Sequence, residues 1–127
     1  MRTIKFKAKR LDNGEWIIGS FVVMKIPALS KTTIGIVAAG GATLHEIDPS
    51  TVCQFTGLKD CDGTSIYEHD LLRSEKTDST YEVVWNQGNS SFSLINTEVP
   101  VLYPTNTMGR MLHRRLKVIG NNFDKDK

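Results

Sequence analysis

The sequence predicts a mainly β protein with little helix: an irregular N-terminal β-hairpin region over residues 1–50, a small, strongly bent β-barrel over 51–123, and a disordered tail at 124–127. Three observations carry this expectation. Ile4, Phe6 and Ala8 alternate with Lys5, Lys7 and Lys9, a period of two that fits a half-buried strand. Gly, Asp, Asn and Pro recur between short apolar runs, as turns between strands require. Helical spacing is scarce, and only Asn106–Arg115, with Met108, Met111 and Leu112, fits one or two helical turns.

Taken in order, the alternating start is the first strand. Asp12-Asn13-Gly14 tolerates positive φ, and Trp16–Val23 follows as a second run, so these pair as a hairpin. Pro27 breaks the pattern in Lys25–Lys31, Ile34–Val37 resumes a β-branched run, and Ala38 to Ala42 dissolves it, so this middle section is expected to be a flexible loop. Leu44–Ile47 is a short strand and Asp48-Pro49-Ser50 a turn. Within Gln54–Leu72, Gly57, Gly63 and the Asp60/Asp62 pair divide the chain into strand, tight turn, short strand, second turn and strand. Val52–Phe55, Leu71–Arg73, Tyr81–Trp85, Phe92–Ile95 and Leu116–Ile119 are five strand candidates, enough for a small barrel. Tyr81, Val83 and Trp85 share a face that can meet Phe92 and Leu94 across one hairpin.

Composition narrows the function classes. Hydrophobic residues at 39% and charged residues at 24% lie near globular averages, so a folded chain is expected. The formal charge is only +2, so no whole-molecule field marks a nucleic-acid or membrane binder, and any electrostatic partner must be met locally. No apolar run approaches the ~20 residues that a membrane span needs. MRTIKFKAKR lacks the continuous apolar centre of a secretory signal, which predicts a cytoplasmic protein. Two cysteines are too few to staple a secreted scaffold, and both are expected as thiols, Cys53 buried on a strand and Cys61 exposed in a turn.

Candidate chemistry is sparse. Cys53, Cys61 and His69 carry zinc-ligand types, but their even, wide spacing is unlike a zinc knuckle. Asp60-Cys61-Asp62-Gly63 has the opening of a calcium loop without its closing glutamate, and reads as a turn. Glu68, His69 and Asp70 are adjacent, yet neighbours on an extended chain point to opposite faces, so a solvated or turn-capping role is expected. No nucleophile elbow, phosphate loop or two-histidine zinc helix occurs, so neither catalytic residues, a metal, a cofactor nor a small-molecule substrate is expected.

Phe55-Thr56-Gly57-Leu58-Lys59-Asp60, followed by Gly63, by Ile66-Tyr67-Glu68 and later by Ile119-Gly120-Asn121, resembles the YopX family of phage and prophage proteins. Ile4–Ala8 with Trp16 is similar to the start of that family. The resemblance implies a mostly β protein, with an irregular N-terminal part and a C-terminal barrel like SH3 folds. It implies a viral or prophage origin and no catalytic residues. One departure stands out: His69 occupies a corner where the family usually has Gly, a position that asks for positive φ.

Two functions are therefore carried forward. The first is a non-enzymatic accessory protein that binds protein partners or copies of itself, with Trp16 and Phe21 as candidate self-association residues. The second is a nucleic-acid-binding accessory factor, using Lys5, Lys7 and Lys9 from the first strand and Arg114, Arg115 and Lys117 from the basic run near the end. Against the second, lysines also line solvent faces and blunt edge strands, and the aromatic side chains are expected in the core.

Overall fold

The computed structural model describes residues 3–38, 40–99, 107–108 and 115–124. It forms two compact units, Met1–Phe55 and Thr56–Lys127. The first holds β1 (Phe6–Lys9), β2 (Trp16–Ile26), β3 (Lys31–Ala38) and β4 (Leu44–Glu46). β5 (Cys53–Lys59) runs through the boundary, and the second unit continues with β6 (Ser65–Tyr67), β7 (Asp70–Ser74), β8 (Thr80–Asn86), β9 (Ser91–Asn96) and β10 (Leu116–Asn121).

Mainly β structure is thus observed, in two antiparallel sheets of order β4-β3-β2-β1-β5-β6 and β10-β7-β8-β9. Neither closes, so the expected SH3-like barrel is not seen among the described residues. Closure needs an unbroken circuit of strand pairing. Here β5 and β6 pair with the sheet of the first strands, while β7 to β10 form a separate open sheet.

In the first unit, β1 and β2 form the expected hairpin, with Phe6 opposite Gly19 and Lys9 opposite Trp16. Gly14 turns the chain at φ +70°, and the Arg10 N–H donates to the Glu15 carbonyl at 2.9 Å. The loop expected after Lys25 is instead the end of a longer hairpin, in which β2 and β3 pair without a break from Gly19↔Ala38 to Ile26↔Lys31. Pro27 does not end the sheet. It opens a 3-10 turn, Pro27–Leu29, whose missing donor is not needed there, and Ser30 at φ 48° turns the chain into β3. β-branched residues such as Val22, Val23, Thr32, Thr33 and Ile34 then favour the extended ribbon.

The core of this unit is small. Ala8, Ile36 and Ile47 are buried, and Phe6, Ile17, Ile34 and Val52 pack around them. Asp48 caps the 3-10 turn Pro49–Thr51 by accepting the Ser50 N–H at 3.0 Å, which returns the chain from β4 toward β5.

The core of the second unit is larger: Ile66, Leu72, Tyr81, Val83, Leu94, Met108 and Leu116, flanked by Leu58, Phe92 and Val118. Each fully buried Leu or Ile contributes about 1.5–3 kcal/mol relative to exposure. Trp85 and Phe92 meet across β8 and β9, with ring centroids 5.1 Å apart, and Val83 lies opposite Leu94, but Trp85 is 44% exposed and so lies outside the core in which it was expected. The helical segment expected at Asn106–Arg115 lies mostly outside the described residues; within it, Met108 is buried in this core. Of the expected tail, Asp124 closes a 3-10 turn, Asn122–Asp124, and 125–127 lie outside the described residues.

Candidate functional site

The β2–β3 ribbon leaves several large apolar side chains exposed. Among the described residues, β1 pairs with β2 only from Trp16 to Gly19, and β4 pairs with β3 only over Gly35–Val37. Ser20–Ile26 and the start of β3 therefore run on past both neighbours. Alternation along the strands puts Phe21, Val23 and Ile34 on one face and Val22, Met24 and Ile26 on the other.

Both faces are apolar and both are open. Phe21 is 37% exposed, Val23 50%, Met24 45%, and Leu29 in the turn 68%. The Phe21 ring rests against Phe6 at a centroid distance of 5.6 Å, yet Phe21 stays exposed. A two-stranded ribbon is marginal in water by itself, and contiguous apolar exposure of this kind marks an interaction surface. The sequence held a signal of this: Phe21-Val22-Val23-Met24 is apolar at consecutive positions, so no single buried face can take them all.

Trp16 and Phe21, paired as candidates from the sequence, lie on opposite faces of β2. Trp16 is half-buried, and its ring is met by the ammonium groups of Lys7 at 4.8 Å and Lys9 at 5.4 Å. Lys5 similarly sits over the Phe55 ring at 4.5 Å. The three lysines form a row on one face of β1, which lies between β2 and β5, so they do not guard an edge. Each ammonium over a ring is worth about 0.5–1 kcal/mol, which holds the row down on its own sheet.

The remaining basic candidates fall in the second unit. Arg115 Nε lies 3.2 Å from Glu75, and Lys117 Nζ lies 3.2 Å from Asp62. The hydrogen bond to Asp62 and its charge raise the Lys117 amine above its ordinary value. Arg114 lies outside the described residues.

The corner residues serve the fold. Asp60 accepts backbone N–H groups from Asp62 at 2.9 Å, Thr64 at 2.8 Å and Val118 at 2.9 Å, which makes its segment a turn, with Gly63 at φ +83°. Burial works to raise the Asp60 carboxyl, and these three donors outweigh it, leaving the group below its ordinary value. Asp70 accepts the Tyr67 N–H at 2.8 Å. His69 does adopt positive φ, 68°, and backbone bonds from its N–H to Val83 and from the Asn122 N–H to its carbonyl hold it there.

The His69 side chain stands between carboxylates, Nδ1 3.0 Å from Glu82 and Nε2 4.0 Å from Glu68, with the Phe123 ring edge-on at 5.2 Å. Among the described residues no cluster of three His, Cys, Asp or Glu side chains could hold a metal ion, and no helix is long and apolar enough to cross a membrane. Cys53 is buried and Cys61 exposed, as expected. A shallow cleft of about 360 Å³ is lined by Arg10, Leu11, Asp12, Leu44, His45 and Glu46. Its main charge is already matched, since Arg10 binds Asp12 at 2.6 Å and thereby holds that carboxyl below its ordinary value.

Comparison with known proteins adds one finding. The family model described as YopX protein matches residues 5–126, nearly the whole chain. No curated protein matches it.

Proposed function

Since the chain belongs to the YopX family, we propose that it is a non-enzymatic accessory protein of phage or prophage origin. In this reading it works in the bacterial cytoplasm by binding protein through its β2–β3 ribbon. The observation that carries the proposal is the exposure of Phe21, Val23, Met24 and Leu29 on a ribbon extending past both neighbouring strands. A partner docked on the ribbon would remove from water part of the apolar area that the small first-unit core leaves open.

Lysine-directed cross-linking with mass spectrometry tests the reading, because Lys25 and Lys31 flank the ribbon turn and both are exposed. Intermolecular cross-links at these two lysines are expected in the expressing cell, and Val23→Glu with Met24→Glu should remove most of them. Their absence overturns the reading. Submicromolar, salt-sensitive binding of labelled DNA or RNA would instead favour the basic row.

A further inference from the structure

We propose that the ribbon docks a second copy of this chain, joined edge to edge, with Phe21–Lys25 of the two β2 strands pairing antiparallel about a two-fold axis at Val23. This rests on the reading of the ribbon as a docking surface and names its occupant.

The first support is the edge itself. Among the described residues only β3 pairs with Phe21–Lys25, so alternate N–H and C=O groups of β2 have no strand partner among them for about 15 Å. Open edges are normally blunted by proline, a bulge or several charges. This one pairs with β3 without a register shift, contains no proline before Pro27, and carries a single charge, Lys25.

The second support is self-complementarity. A two-fold axis normal to the sheet keeps each face on its own side, so residues opposite one another must both be odd or both be even in number. Centring on Val23 sets Phe21 against the partner's Lys25, Val22 against the partner's Met24, and Val23 against the partner's Val23. No like charges meet, and the one ammonium lies over a ring. Shifting the axis by one residue toward the N-terminus makes Gly19 pair with the partner, where β1 already pairs with it. Shifting it the other way sets Phe21 against the partner's Pro27, which has no donor. The edge therefore matches its own copy in one register, with side chains exposed in the single chain.

Light scattering and disulfide trapping test this. The wild type is expected at twice the chain mass at about 100 μM, a concentration typical of weak dimers. Val23→Lys and Val23→Glu each set like charges face to face and are expected to be folded monomers by circular dichroism, while an equal mixture of the two regains the dimer. In a Cys61→Ser background, Val23→Cys should trap a disulfide dimer under mild oxidation, because directly opposed strand residues fall within disulfide reach. Thr33→Cys, one strand removed from the edge, should trap less than a tenth as much. A monomeric wild type, a dimeric Val23→Lys, or trapping at Thr33→Cys equal to that at Val23→Cys overturns the edge-paired dimer. If a monomeric wild type still cross-links to another protein through Lys25 and Lys31, only the identity of the occupant falls; if those cross-links are also absent, the docking reading falls with it.

Discussion

The Asn121 side-chain amide donates to the Asp70 carboxylate at 2.9 Å across 51 residues of sequence, and both side chains are almost wholly buried. This ties the start of β7 to the end of β10 at the corner made by His69. The other Asp70 oxygen takes the Tyr67 N–H, and the Asn121 oxygen takes the Phe123 N–H at 2.9 Å. Asp70→Ala and Asn121→Ala should each cost about 2–3 kcal/mol, since each orphans a buried polar group. The double variant should fall short of the sum by about 1 kcal/mol, as measured by urea denaturation.

The same carboxylate acts on Tyr67, whose phenol is raised above its ordinary value first by burial and then by the Asp70 charge. Asp70→Asn removes only the second cause. Alkaline absorbance titration should show the Tyr67 transition moving down in Asp70→Asn while staying above that of a free tyrosine.

Asp60 makes the second unit sensitive to acid. Its carboxyl lies below the ordinary value of 3.8 in the folded chain, so the unfolded chain takes up a proton first as pH falls. The stabilisation is complete above about pH 4 and is lost as pH drops through the folded value. Asp60→Asn should be less stable at pH 7 and lose less between pH 5 and pH 2, which denaturation midpoints at the three values would show.

His69 at φ 68° separates side-chain from backbone effects. Both His69→Gly and His69→Ala lose the Glu82 hydrogen bond and the Phe123 contact. Only alanine keeps a Cβ in the left-handed region, so His69→Ala should be less stable than His69→Gly by about 1 kcal/mol. Equal stabilities would show that the corner imposes no backbone strain.

Gly19 lies on β2 opposite Ala38 of β3. A Cβ there would overlap the Val37 carbonyl oxygen and come within 2.8 Å of the Ala38 Cα, both backbone atoms that cannot swing aside. Gly19→Ala should therefore destabilise the first unit by about 1–3 kcal/mol, although alanine ordinarily suits a strand better than glycine. Faster amide exchange confined to β2 and β3 would check it.

Much of the local structure was legible beforehand. The alternation at Phe6–Lys9, the turns at Gly14 and Gly63 and the contrasting exposure of the two cysteines follow from short stretches of chain, while the positive φ at His69 was implied by the family resemblance. Pro27 misled because the same fixed φ that interrupts a strand also starts a 3-10 turn, and only the partner strand distinguishes them. The lysine row was likewise visible, but its place on a central strand, over the Trp16 and Phe55 rings, was not.

By itself, the sequence determined where the chain extends and where it turns, because side-chain periodicity and positive-φ residues act through sterics within a few neighbours. Only the tertiary structure decided that the strands form two open sheets, that Asp70 meets Asn121, and that β2 outruns its neighbours to leave Phe21 and Val23 exposed. Strand partnership rests on burial summed over residues far apart in the chain, and several pairings satisfy the same alternation until that sum selects one.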